Sequence, residues 1–243
     1  MTPPHRLGYR IWVLGLVSAA LLVCQRPAVE AAGRAVTLRT SDGRSVTGVL
    51  IEAGNRPAPA VVLVPMLGRT KDDWQAVAQR LAETNITALA IDLPSAASAD
   101  PAEFAGWSSV VEAAVAYLAV RPAEVNAAAI GVAGASLGAN LAAVAAATNP
   151  AVRSLALVSP SLDYRGVRIE AALLQYGSRP ALLAASLHDP YAARSVRTLA
   201  QDTSGPRQVR WSTATAHGTV LLSRDMDLVR SLIEWFQLTL TVS

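Results

Sequence analysis

Chemistry in this chain centres on Ser136, which stands in Gly134-Ala135-Ser136-Leu137-Gly138 between an apolar run (127–132) and an alanine-rich segment (137–148). A serine hydroxyl is a weak nucleophile unless a base takes its proton and a third group holds that base in the right tautomer. The spacing has a mechanical reason. A serine on a sharp corner between strand and helix needs neighbours without bulk, and Gly134 and Gly138 let the two elements pass closely. The first free N–H groups of the following helix, beginning with Leu137, then face any negative charge that develops beside the serine.

The histidines narrow the choice of base. There are three; His5 lies near the start, leaving His188 and His217. His217 sits in Thr213-Ala214-Thr215-Ala216-His217-Gly218, a loop of small residues after the last expected strand, where an imidazole can reach back to Ser136. If the chain order is serine, acid, histidine, the acid lies between them. Asp189 meets that requirement: Leu182-Leu183-Ala184-Ala185-Ser186-Leu187-His188-Asp189-Pro190 reads as a strand running into a turn. Acids at the carboxyl ends of parallel strands gather along one edge with Ser136. His188 reads as a surface neighbour of the acid. Asp163, in Ser159-Pro160-Ser161-Leu162-Asp163, is the second candidate acid, and strand-end placement and chain order favour Asp189 over it.

These residues need a sheet to gather them. Segments 36–40 and 45–51 flank Ser41-Asp42-Gly43-Arg44, where Asp-Gly marks a hairpin. Continuous apolar runs at 60–64, 87–91, 127–132, 155–158 and 181–185 have the length and composition of strands buried on both faces, and 208–211 adds one more. Helices are expected from Asp72 or Asp73 through Leu81, at 102–120, 137–148 and 191–202, and from Arg224 to Leu240. Alternating strand and helix predict an α/β fold: a mostly parallel sheet with an antiparallel edge hairpin and helices on both faces. The stretch between Val158 and Ala181 has room for one short helix, not a large lid. Trp74, Trp107, Trp211 and Trp235 read as core or core-edge aromatics, and Asp92 as a structural turn or cap carboxylate.

Composition excludes several functions. With 243 residues and 52% hydrophobic content the chain can bury a sizeable core, and one α/β domain at 32–243 is expected. The net charge is +3 and the pI about 9.4, yet the arginines are scattered and Lys71 is the only lysine, so no nucleic-acid stripe exists. Residues 1–31 read as an export signal: His5, Arg6 and Arg10 precede an apolar stretch at 11–23, and Ala31 or Ala32 offers the cleavage point. That stretch is short of the roughly 20 residues that span a bilayer; membrane attachment follows only if it is retained. Localisation is then periplasmic or extracellular. The single cysteine, Cys24, lies in the leader, so the body has no disulfide or thiol nucleophile. A nucleotide-binding reading of the glycines fails, because the spacing is not GxGxxG and no acidic residue ends the strand at Val158. Asp72 and Asp73 suit a helix N-terminus better than a metal site.

The elbow, the acid segment and the Ala-His-Gly loop together make the chain resemble the α/β-hydrolases, closest in size and lid-free layout to dienelactone-hydrolase-like proteins and small bacterial serine esterases. The resemblance covers about Val36 to Leu240. It implies Ser136 as nucleophile, Asp189 as acid and His217 as base of a carboxylesterase acting on a small-molecule ester, with no cofactor or metal. Dienelactone hydrolases proper carry a cysteine where this chain has Ser136, so their specificity is not implied. The family often has His-Gly after the strand at 60–64; here Pro65-Met66 stands there. Proline has no N–H to give, so the oxyanion donor that joins Leu137 is Met66 or, by alignment, Leu67. A non-catalytic envelope protein keeping the fold for binding is the alternative.

Overall fold

The computed structural model describes residues 33–95, 100–201 and 204–240; the expected leader at 1–31 and the expected helix end at Asp202 lie outside them. The first two strands, β1 (Arg34–Arg39) and β2 (Ser45–Ile51), form the antiparallel hairpin, turning where the Gly43 N–H donates to the Thr40 carbonyl. The apolar run of β3 (Ala58–Val64) follows. A single 3-10 turn, Lys71–Trp74, opens the next helix, with Thr70 as its N-cap; α1 proper is Gln75–Glu83, so Asp72 and Asp73 lie in the 3-10 turn and do not cap α1.

Next come β4 (Thr87–Ile91), α2 (Ser108–Ala119), β5 (Val125–Ala135), α3 (Leu137–Thr148) and β6 (Val152–Val158). The connection beyond β6 folds on itself as a small hairpin, β7 (Asp163–Tyr164) and β8 (Val167–Arg168), and one short helix, α4 (Glu170–Tyr176). The chain closes with β9 (Ala181–Ser186), α5 (Pro190–Leu199), β10 (Arg207–Ser212), α6 (Thr219–Arg224) and α7 (Met226–Leu240).

Eight strands form one sheet in the order β1-β2-β4-β3-β5-β6-β9-β10. The pairs β1/β2 and β2/β4 are antiparallel and the rest parallel, the fold class read from the sequence. Alternate residues of the buried strands go to opposite faces. Val62 of β3 and Leu157 of β6 join α2, α3, α4 and α5; Val61 and Val158 join α1, α6 and α7. Because both faces are covered, the buried centres of these strands are continuous apolar runs. From β3 the chain passes to β4 on one side and β5 on the other, so a crevice opens at the carboxyl ends of β3 and β5.

Register then places the functional loops. Val64 pairs with Gly134, Ala135 with Val158, Val158 with Ala184, and Ser186 with Ser212. The residues that follow these strand ends line one edge of the sheet.

Local readings change at the last helix and at Trp211. The expected helix from Arg224 to Leu240 is α7, which begins at Met226, and the short helix α6 before it was not expected; Asp225 separates the two, its Oδ1 accepting the Leu228 N–H at 2.9 Å. Trp211 is 40% exposed on the edge strand β10 with the Arg197 guanidinium over its ring, so it is not a core residue. Trp74, Trp107 and Trp235 are buried. Asn140, which the sequence did not single out, is fully buried in the alanine-rich α3: its amide donates to the Ser161 and Val167 carbonyls at 2.9 and 2.7 Å and accepts from the Ser161 N–H at 3.1 Å. It binds the β7–β8 hairpin to the helix that begins at Ser136. Asp92 is structural, as read, and ties β4 to the turn after β3: its carboxylate accepts from the Lys71 N–H and Nζ, both at 2.9 Å, and from Thr47. Burial pushes the Asp92 carboxyl up, but the Thr47 and Lys71 hydrogen bonds outweigh it and hold it below its ordinary value.

Candidate active site

Ser136 sits at the corner between β5 and α3 with φ 52° and ψ −120°, a backbone region that non-glycine residues seldom adopt. Three hydrogen bonds hold it there: its N–H donates to the Val158 carbonyl at 2.9 Å, and its own carbonyl accepts from Ala139 and Asn140 at 2.9 and 3.2 Å. The flanking glycines are required by contact. A Cβ on Gly134 would lie 2.2 Å from the Gly138 carbonyl oxygen, and one on Gly138 would lie 2.3 Å from the Pro65 and 2.6 Å from the Val64 carbonyl oxygen. Strand β3, the corner and helix α3 therefore meet backbone to backbone.

Asp189 is the N-cap of α5. Its Oδ1 accepts the Ala192 N–H at 3.1 Å, and Pro190 opens the helix. The position suits a carboxylate, because helix N–H groups and the helix dipole favour negative charge there. The other oxygen, Oδ2, lies 2.5 Å from His217 Nδ1, and His217 Nε2 lies 2.8 Å from Ser136 Oγ. One tautomer satisfies both contacts: Nδ1–H donates to the carboxylate while Nε2 accepts from the serine hydroxyl. Ser136 is 4% exposed, whereas the His217 side chain is 42% exposed.

Asp163, the other candidate acid, is not at the histidine. Its carboxylate accepts from the Gly166 N–H at 2.6 Å and from Arg168 Nε at 2.9 Å. These bonds, Arg168 foremost, hold its carboxyl below the ordinary range. His188 is exposed, as read, and its backbone N–H donates to Ser186 Oγ at 3.0 Å.

Beyond β3 the chain makes a tight turn in which the Arg69 N–H donates to the Met66 carbonyl at 3.2 Å, with Gly68 at φ +74°. That bond leaves the Leu67 N–H outside it. The Met66 side chain lies against Gly218, where a Cβ would sit 2.6 Å from Met66 Sδ. The Leu137 N–H opens α3 and is among the donors a helix leaves without an internal acceptor.

Several residues that shape the histidine loop were not singled out from the sequence. Ser186 Oγ donates to the Ala214 carbonyl at 2.6 Å, and Ser212 Oγ accepts the Ala214 N–H at 3.1 Å. Ser159, buried and at φ 50°, accepts the Gly218 N–H at 3.0 Å. Ser159 directly follows, and Ser186 and Ser212 end, a strand on the functional edge. A polar residue there is the sequence signal that marks them.

Residues 61–241 match the alpha/beta hydrolase family. No curated protein matches the sequence. Among solved structures, a dienelactone hydrolase from Anabaena variabilis superposes with a TM-score of 0.71 at 19% identity, over 87% of this chain and 99% of its own. A thermostable carboxylesterase cloned from a metagenomic library gives 0.65 at 21% identity, over 86% and 89%. A bacterial heroin esterase gives 0.71 at 16%, over 90% and 87%. At such identities the likeness is one of fold.

Proposed function

The chain belongs to the alpha/beta hydrolase family, and on that premise we propose that it is a serine hydrolase cleaving carboxylic esters with small or medium acyl groups. The observation that carries the reading is the unbroken hydrogen-bonded line from Ser136 Oγ through His217 to Asp189, at 2.8 and 2.5 Å. A structural serine on a strained corner has no need of an imidazole whose other nitrogen is held by a helix-capping carboxylate.

In this reading Ser136 Oγ attacks the ester carbonyl as its proton passes to His217 Nε2. Asp189 keeps the imidazole in the accepting tautomer and stabilises the imidazolium. The tetrahedral oxyanion takes hydrogen bonds from the Leu137 and Leu67 N–H groups. The contact of Gly138 with the Val64 and Pro65 carbonyls brings the chain entering that turn beside the start of α3, and each such donor is worth about 3 to 4 kcal/mol of transition-state stabilisation. His217 then returns the proton to the leaving alcohol as the C–O bond breaks, leaving an acyl-Ser136. Water, deprotonated by the same Nε2, hydrolyses it and restores the serine.

The three similar structures support an ester substrate, being by name a dienelactone hydrolase, a carboxylesterase and a heroin esterase. The leader at 1–31 supports an exported enzyme. A fluorophosphonate probe tests the reading: it should label the folded protein at Ser136, with parallel turnover of a short p-nitrophenyl ester. A folded protein that takes no label would instead be a binding protein that keeps the hydrolase fold.

A further inference from the structure

Asp73 stands between two loops that the proposed mechanism uses for different purposes. It lies in the 3-10 turn just after the turn at Met66–Arg69, and a single oxygen, Oδ2, accepts both from Arg69 Nε at 2.7 Å and from Thr219 Oγ1. Thr219 is two residues beyond His217 and only 3% exposed. The two segments are 146 residues apart in the chain, so no local structure sets one against the other. They touch at a second point, where the Met66 side chain lies against Gly218. A part-buried carboxylate bridging two donors is directional in a way an apolar contact is not, because charge-assisted hydrogen bonds fix both distance and angle.

We propose that Asp73 is a positioning residue that clamps the oxyanion turn to the histidine loop, so that the Leu67 N–H and the His217 imidazole keep one fixed relation to Ser136. Its effect on rate rests on the serine-hydrolase reading, whereas the clamp itself does not. Arg69 ties the carboxylate to the turn that carries Leu67. Thr219 ties the same oxygen to the helix that continues from His217. Releasing either tie lets the two loops move independently, while the elbow, held by backbone contacts, stays in place.

The test is Thr219→Val, which keeps the shape of the side chain and removes Oγ1, set beside Thr219→Ser, which keeps the hydroxyl. Misplaced groups at a reacting centre cost up to about 100-fold in rate, and Thr219→Val should lower kcat by about tenfold with KM within about twofold. Thr219→Ser should restore kcat to within about twofold of the parent on the same scale. Amide hydrogen exchange should accelerate together in 66–70 and 213–218. If Thr219→Val does not fold, Asp73→Asn carries the test, with the same joint rise in exchange. Parental kcat in a folded variant, or acceleration confined to one of the two segments, overturns the clamp. If the parent protein neither labels at Ser136 nor turns over an ester, the hydrolase reading fails and exchange alone decides: joint acceleration upholds the clamp, and anything else overturns it.

Discussion

The nucleophile corner and the histidine loop are held by opposite means. Around Ser136 the chain is packed backbone to backbone: Gly134 meets Gly138, Gly138 meets Val64 and Pro65, and Leu137, Ala139 and Leu141 are wholly buried. The loop at 213–218 lies at the surface and is tied by side chains reaching from other elements: Ser159, Ser186, Ser212 and Arg224, with Asp73 just beyond at Thr219. The corner gains its rigidity from close packing, which tolerates no added atom. The loop gains its position from a handful of hydrogen bonds, each worth only about 0.5–1.5 kcal/mol net. Changes at the corner should therefore be read in folding, and changes around the loop in catalysis.

The largest effect would come at the reacting atoms themselves. Ser136→Ala and His217→Ala should each lower kcat for a p-nitrophenyl ester by about 10,000-fold or more while the unfolding temperature stays near the parent's. Steady-state kinetics with thermal unfolding on the same samples would show it. Asp189→Asn should cost roughly 1,000- to 10,000-fold. Asp163→Asn should leave the rate within about twofold, since its carboxylate bonds only its own hairpin. A reversal of those two rates would move the acid to Asp163.

Gly138→Ala probes the corner from the folding side. A Cβ 2.3 Å from a carbonyl oxygen forces β3 and α3 apart, at an expected cost of about 3 kcal/mol or more, measurable as a lowered midpoint in urea. Ser159→Ala probes the loop in the converse way. It frees the Gly218 N–H and should lower kcat by about tenfold for about 1–2 kcal/mol of stability. Should Ser159→Ala unfold the protein while Gly138→Ala only slows it, the contrast between the two regions would be reversed.

The smallest effect concerns pH. Asp92 and Asp73 both carry carboxyls held below their ordinary value: burial acts against this, but hydrogen bonds from Thr47 and Lys71 to the first, and from Arg69 and Thr219 to the second, prevail. A folded-state pKa below the unfolded one means the unfolded chain binds protons more readily. The contribution is whole above the unfolded carboxylate pKa of about 4 and is lost as pH falls through the depressed value. Thermal unfolding across the acid range should show Asp92→Asn with a shallower acid limb than the parent and a lower unfolding temperature at neutral pH.

Much of this arrangement was legible in the residue pattern. The buried strands announce themselves as short apolar runs because both faces of the sheet are covered, and the elbow glycines because contact leaves no room for a Cβ. Ser136, Asp189 and His217 could be singled out because each follows a strand on the same edge in a consistent chain order. Other features were not legible. Trp211 read as core or core-edge and lies 40% exposed on an edge strand, which composition does not distinguish from a central one. The short helix α6 was not foreseen, and Asp225 separates it from the last helix through a capping bond that spans three residues. Asp73 read as a helix-end acid because its partner Thr219 is far away in the chain.

The sequence by itself determined the alternation of strand and helix, the corner at Ser136 and a short list of residues able to serve it, because these depend on periodicity, steric room and side-chain chemistry within a few positions. Only the tertiary structure decided that Asp189 rather than Asp163 reaches His217, that Met66 lies against Gly218, and that Asp73 meets Thr219. Those choices depend on sheet register and loop paths, which bring together groups tens to more than a hundred residues apart to within a hydrogen bond, and no local pattern encodes that distance.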